Sequence, residues 1–485
     1  MTNNERATCL VVGVGPAGMV LGLIMARAGV EVTVLEKHAD FLRDFRGDTV
    51  HASTLTLLDE LGLAGRFAGV PHRTLDRMQV QLDGGTAQFA DLRRLPGAHQ
   101  HIALVPQWDF LDMLADAARD EPTFTLRRDA EVVGLLRDAG RVAGVRYRDR
   151  TDGTEHEIRA GLTVACDGRH STVRGAAGLT PRSFGVPMDV WWFRLPRRAE
   201  DPEGGVARFS TGHFCVMIDR GDYWQCAYLI RKGTDGVLRA AGIGELRRRF
   251  AGLLPWMADR VGELRSFEDV KLLDVRLDRL RRWYAPGLLL LGDAAHAMSP
   301  VGGVGINLAI QDAVAAARIL GPALRSGGIV GPGLLRRVQR RRWAPTVAIQ
   351  TFQRLAHRMI LGPALTDPAP QDQAPANPGP MAAQPTPAGP PPQGSAPRVA
   401  AAGSAAAGSA AAGSAGQSPA GMGGGGEEAS VLPAPLRLMR LFPVLQGIPA
   451  RLVAIGPLPE HAPEWARPRP AAGAPRADGT VARSG

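Results

Sequence analysis

One short segment constrains the fold of this chain more than any other. It is Val12-Gly13-Val14-Gly15-Pro16-Ala17-Gly18, placed directly after the apolar run Cys9–Val12 and opening a helical pattern. Gly13 permits a tight turn, Gly15 lets backbone approach a pyrophosphate, and Gly18 lets helix and strand pack closely. Pro16 and Ala17 begin the helix, whose free N–H groups and positive dipole end face the phosphates. Glu36 ends the next strand 18 residues after Gly18, where a carboxylate accepts hydrogen bonds from a ribose diol, and Lys37 follows it. The bland alternative is a glycine-rich packing turn. Strand, turn, helix and acid together indicate a dinucleotide-binding unit, but this spacing does not separate FAD from NAD.

The segment Ala7–Val34 is apolar enough to imitate a signal peptide or a membrane span. Its five glycine and proline residues between positions 13 and 22, the interrupting Arg27 and a poorly basic front favour strand, turn and helix instead. No integral membrane segment is expected. Lys+Arg number 57 against 47 Asp+Glu, a net charge of +10, and only three of the cations are lysines. That excess suits an anionic cofactor at least as well as a nucleic acid, and no nucleic-acid partner is expected. The densest basic cluster, Arg336–Arg342, reads as a solvated helix face. Four scattered cysteines without a C-x-x-C pair argue against a disulfide framework or structural zinc, which points to a cytoplasmic protein with no metal.

Apolar periodicity divides the chain. Residues 1–365 alternate strands and helices like an α/β protein: a Rossmann-like domain (1–77, 100–185 and 270–365) into which a mostly antiparallel β module (78–99 and 186–269) is inserted. Residues 366–430 are rich in Pro, Gln, Ala and Gly and repeat Ala-Ala-Ala-Gly-Ser three times at 400–414, a composition expected to form a disordered linker. Apolar periodicity returns at 431–466, read as two short helices broken by Pro443 and Pro449 and docking back on the core. Residues 467–485 read as a frayed tail.

Two further segments settle the cofactor. The stretch Leu289–Asp312 contains Gly292-Asp293 at a strand end, followed by Gly302, Gly303 and Gly305. This stretch resembles the GD signature of FAD-binding hydroxylases, a likeness that implies Asp293 holding a ribityl hydroxyl, the glycines letting backbone lie against an isoalloxazine ring, and a helix opening at Ile306 and Asn307 aiming its dipole at the ring. The second stretch is Ala165-Cys166-Asp167-Gly168-Arg169-His170-Ser171, again after a strand.

The three motifs in this order make residues 7–360 resemble the class A flavin-dependent aromatic hydroxylases, the para-hydroxybenzoate hydroxylase-like group. The resemblance implies non-covalent FAD and NADPH or NADH as electron donor. It also implies O2, and a C4a-hydroperoxyflavin that hydroxylates or epoxidises an aromatic or polycyclic small molecule. The family's Asp167-Gly168 segment touches both FAD and the incoming nicotinamide. Likeness also singles out Arg46, in a loop approaching the flavin, and Pro300, beside its reactive edge, as catalytic. Gln107 becomes a contact to the ribityl or pyrophosphate region. The alternatives are a solvated arginine at 46 and a helix-capping role for Gln107. Some relatives carry a C-terminal thioredoxin-like domain that this tail cannot form, and the expected state is monomer or homodimer.

His296, His51 and His213 read as packing residues. Trp191, Trp192, Phe193, Trp224 and Tyr228 fall on the inserted strands, either as core or as lining of a substrate cavity. Two other functions remain open at this point. One is a flavin oxidoreductase that inserts no oxygen; the other is a non-enzymatic flavin-binding module.

Overall fold

The computed structural model describes residues 5–42, 49–202, 204–210, 212–362 and 446–468. Arg46, the expected linker at 366–430, and the 431–445 and 469–485 parts of the C-terminal region lie outside these residues.

An eight-stranded sheet forms the first layer. Its parallel part runs Leu288–Leu290, Glu155–Ala165, Glu5–Val12, Val32–Leu35, Phe124–Arg127, and the hairpin Ala130–Asp138/Arg141–Asp149 joins Glu155–Ala165 antiparallel. Strands buried on both faces need apolar residues at every position, which is why Cys9, Leu10 and Val11 are all fully buried. Helix α1 (Pro16–Arg27) packs on this sheet with α2 (Ala52–Glu60) and α3 (Gln107–Arg119) close by. All four cysteines are free thiols in the interior.

A seven-stranded sheet forms the second layer, in the order Lys271–Leu273, Met188–Pro196, Tyr223–Arg231, His213–Asp219, Gly205–Ser210, Arg77–Leu82, Gly85–Asp91. Its edge strand Lys271–Leu273 comes from chain that the sequence pattern assigned to the nucleotide domain. Three residues are too short to show an alternation.

The two faces of this sheet divide the aromatic residues. Trp191, Phe193, Trp224 and Tyr228 point to one side and are buried beneath α4 (Ile243–Leu253), with Phe193 and Phe250 edge to face at 5.1 Å. Only Trp192 points to the other side, where it packs with Val190, Leu229, Phe214 and Val301. Four of the five candidate pocket aromatics are therefore core. Period-two alternation separates the faces but does not say which one a helix will cover.

Helix α5 (Val304–Arg325) and α6 (Pro332–Ala356) complete the first layer. The segment Val301–Arg325 is the one described stretch long and apolar enough to cross a membrane, and 72% of its apolar window is buried inside the protein. Within the basic cluster, Arg336, Arg337, Arg340 and Arg341 are exposed as expected, but Arg342 is fully buried. Its charge is compensated by Asp312 (3.0 Å) and Glu460 (3.4 Å), neither of which is near it in sequence.

The described tail, 446–468, carries one α-helix, α7 (Gly447–Ala454), and a 3-10 turn at Glu464–Ala466. Pro449 does not break it, because in the first turn no intrahelical N–H is required. Val453 packs beside Gly302, His51 Nδ1–H donates to the Val453 carbonyl at 2.8 Å, and Trp465 lies against Gly321 and Met25. Glu460 is buried and receives Arg318 (2.9 Å), Arg341 (2.7 Å) and Arg342. A buried carboxylate is stable only when its lone pairs are met in this way.

Candidate flavin site

The glycine turn is explained residue by residue. Gly13 has φ +96°, and a Cβ there would stand 2.6 Å from the Cys166 carbonyl oxygen. A Cβ on Gly18 would stand 2.0 Å from the Gly13 carbonyl oxygen, so helix and turn touch only because both lack side chains. Gly15 is different. Its φ is −59° and its nearest neighbour would be Cys166 O at 3.9 Å, so nothing among the described residues requires glycine there. The space it leaves opens over the start of α1, which has no side-chain cap and no acid in its first turn. That is the cradle a pyrophosphate needs, and the residues present fit FAD.

Glu36 sits at the rim of the turn, with Oε2 accepting from Val14 N (3.2 Å) and Oε1 from His38 N (3.1 Å). Lys37 is exposed. Gln107 is the first residue of α3, half-buried, with Pro106 at the cap position and no side-chain cap bond. The capping alternative for Gln107 is thus not met, and its amide makes no hydrogen bond to a described residue.

Asp167 is half-buried, and its desolvation raises its pKa above the ordinary carboxylate value. Its two oxygens accept from Ser171 Oγ (2.6 Å) and Val173 N (3.1 Å), closing the loop on itself. Gly168, at φ +81°, makes the turn that this closure requires. The arginines of the same loop then reach the other motif. Arg169 Nη2 donates to Asp293 Oδ2 at 3.3 Å, and Arg174 Nη1 to the carbonyl of Ala294 at 3.1 Å.

Gly292, at φ +56°, donates its N–H to Asp312 Oδ2 (3.2 Å), which also receives His296 Nε2 at 2.6 Å. Asp312 is held below its ordinary pKa against the opposing effect of burial, through His296 and Arg342. His296 packs on Trp283 at 4.7 Å between ring centroids. Pro300 is exposed at the end of this segment. Gly302 and Gly303 follow with φ +79° and +64°, and the Gly303 carbonyl accepts from Thr49 Oγ1 at 3.0 Å. Helix α5 begins at Val304, two residues before the expected start, with Gly303 at its uncapped end. Gly305 and Ile306 therefore occupy its first turn. Asn307 turns away from that end: its Oδ1 accepts from Ser53 Oγ (2.9 Å) and Thr54 Oγ1 (2.6 Å) on α2.

The sequence pattern missed the face of α6 that holds this segment. Gln350 donates to the Ala297 carbonyl (3.3 Å) and Gln353 to the carbonyls of Ser299 (2.8 Å) and Val301 (2.9 Å). The Gln353 Oε1 accepts from Ser299 N at 3.2 Å, and His357 Nε2 pairs with Ser299 Oγ at 2.9 Å. Burial lowers the His357 pKa to about 4, so it is neutral. The spacing 342, 346, 350, 353, 357 is a helical face of buried polar residues, and that pattern was the available signal.

Residues 6–349 match the sequence model of the FAD binding domain family, about 71% of the chain. The chain belongs to the FAD-dependent aromatic monooxygenases. Over 326 residues it is 38% identical to a 6-methylpretetramide 4-monooxygenase from Streptomyces rimosus, covering 65% of this chain and 75% of that one. Among solved structures it resembles OxyS anhydrotetracycline hydroxylase from Streptomyces rimosus, with TM-score 0.57, 26% identity, and coverage of 74% of this chain and 70% of that one. PqsL, a probable FAD-dependent monooxygenase from Pseudomonas aeruginosa, shares the fold with TM-score 0.63, 21% identity, and coverage of 74% and 98%. FAD is thus this monooxygenase's cofactor.

Proposed function

We propose that this flavoprotein uses NADPH or NADH and O2 to insert one oxygen atom into a polycyclic aromatic small molecule. The observation that carries this reading is the apolar side of the seven-stranded sheet. Val190, Trp192, Phe214 and Leu229 pack there with Val301, next to the Pro300 turn. A flat, unsaturated substrate fits such a surface, and the tetracycline-type names of its relatives agree with that chemistry.

When bound, FAD supplies the redox chemistry: it takes electrons from the nicotinamide and uses them to activate O2. The chain's own residues position and shield. Gly13, Gly15, Pro16, Ala17 and Gly18 would hold the pyrophosphate. Glu36, with Lys37 beside it, would meet the adenosine ribose, and Gln107 and Asp293 the ribityl chain. Asp167 and Gly168 would shape the loop that presents Arg169 and Arg174. The uncapped end of α5, with Gly303, Gly305, Ile306 and Asn307, would place positive dipole beside the ring, favouring its anionic reduced form. Pro300 would border the reactive edge, and Arg46 would lie in the loop facing it. We place the protein in the cytoplasm as a monomer or homodimer, in keeping with its four buried free thiols.

The test is a screen of polycyclic aromatics for stimulated NAD(P)H oxidation, followed by product mass. The product should gain one oxygen, labelled from 18O2 and not from H2 18O. A product with no added oxygen would assign the chain to flavin oxidoreductases that do not insert it.

A further inference from the structure

Arginines around the flavin segment are mostly matched to acceptors: Arg169 to Asp293, Arg174 to main-chain carbonyls, Arg342 to Asp312 and Glu460. Three neighbours break that pattern. Arg182 and Arg279 face each other across the two-residue ladder Arg182–Ser183/Asp278–Arg279, and Arg354 projects from α6. Their guanidinium carbons stand 5.5, 5.1 and 5.2 Å from the centre of one ring, that of Phe184. Arg279 also lies 4.6 Å over Trp343.

Among the described residues, no carboxylate is within ion-pair distance of any of the three. The one side-chain hydrogen bond they make to a described residue runs from Arg279 Nη1 to Gln350 Oε1, at 2.6 Å. The adjacent acid, Asp278, is turned inward and accepts from Ala297 N at 3.2 Å. Burial, then the charges of Arg182 and Arg354, push the Arg279 pKa down, so the repulsion reaches a partly buried group. Stacking on an aromatic face offsets only part of such crowding. Three convergent forks without a counter-charge match an anion with several oxygens, above all a phosphate.

The trio is also tied to the reactive segment. Gln350, which accepts from Arg279, donates to the carbonyls of Asp278 (2.7 Å) and Ala297 (3.3 Å), just before Ser299 and Pro300. We propose that Arg182, Arg279 and Arg354 form a phosphate-recognition site for the nicotinamide dinucleotide. This assignment rests on the monooxygenase reading above, which requires such a donor. The cationic patch would hold the phosphates while the nicotinamide end approaches the flavin.

The experiment compares wild-type holoenzyme with Arg182→Gln, Arg354→Gln, the double variant and the charge-retaining Arg354→Lys. NADP+ and inorganic pyrophosphate binding are measured calorimetrically, beside FAD per chain and melting temperature. Each Gln variant should weaken NADP+ binding about tenfold, and the double variant further, with FAD content unchanged. Arg354→Lys should recover part of the loss. KM for NADPH should rise while kcat holds, and pyrophosphate should displace NADP+ from wild type only. Unchanged NADP+ affinity in FAD-replete variants would overturn the site. Pyrophosphate binding that is lost in the variants while NADP+ binding persists would overturn the dinucleotide assignment. Pyrophosphate titration needs no turnover, so these outcomes stay separate from a failure of the monooxygenase reading, in which neither nicotinamide reduces the wild-type flavin.

Discussion

The two glycine-rich segments of the candidate flavin site are built on opposite principles. At Gly13–Gly18 the backbone holds itself: side chains are excluded because neighbouring main chain already occupies their space. At Gly292–Gly303 the backbone is held by others, through Asp312, Gln350, Gln353 and His357, with the tail pressing on Gly302. The first kind of site is encoded within seven consecutive residues and the main chain they touch at Cys166. The second is held by residues as far away as Val453, 151 positions from Gly302. A site of the first kind should fail abruptly and locally, and one of the second kind should fail by degrees and from a distance.

The largest contrast should come from within the first segment. Gly18→Ala drives a Cβ to 2.0 Å from main chain and should destabilise the fold by on the order of 3 kcal/mol or more. Gly15→Ala has open space and should leave the melting curve within about 0.5 kcal/mol of wild type while lowering FAD content sharply. Denaturant melts paired with flavin absorbance separate the two. Equal stability loss in both would break the distinction.

Next comes Arg342→Met, which leaves Asp312 and Glu460 buried with a partner missing. A cost of about 3–5 kcal/mol is expected, together with faster proteolysis within 446–468.

The tail contact should also show in acid. His51 is fully buried and its pKa is lowered to about 4, by burial first and against the bond to Val453. Below its unfolded pKa of about 6.5 the unfolded chain takes a proton that the folded chain refuses. Stability present above pH 6.5 is therefore lost as pH falls toward 4, by up to about 3 kcal/mol. His51→Gln should flatten melting temperature against pH across that window.

The smallest effect belongs to Gln353→Leu. Ser299 N and O and the Val301 carbonyl lose their partners, at about 1–3 kcal/mol. FAD should be retained, while peroxide released per NAD(P)H rises. Unchanged coupling would mean that the Pro300 turn holds itself, like the first segment.

This contrast also explains what was legible in the sequence. The strand Val32–Leu35, the start of α1 and the glycine turn follow from local sterics and periodicity, and they stand where the pattern puts them. Arg342 looked like one more solvated arginine because its partners, Asp312 and Glu460, are 30 and 118 residues away. Alternation puts Trp191 and Trp192 on opposite faces but does not say which face is inside, since only α4, some 50 residues later, defines it. Arg182, Arg279 and Arg354 converge only through folding. Within an Arg-rich chain no single one of them stands out.

The docked tail sets an order of events during synthesis. Residues 446–468 leave the ribosome after 83 residues that follow Gly362. At about 5–20 residues per second, the nascent chain exists for roughly 4–17 s with α5 and α6 made but α7 still missing. Through that interval His51 and Gly302 lack the Val453 that later covers them, and Arg342 has Asp312 but not Glu460. The turn at Gly13–Gly18 and its partner Cys166 are translated long before, so the two glycine-rich segments gain their last neighbours at different times.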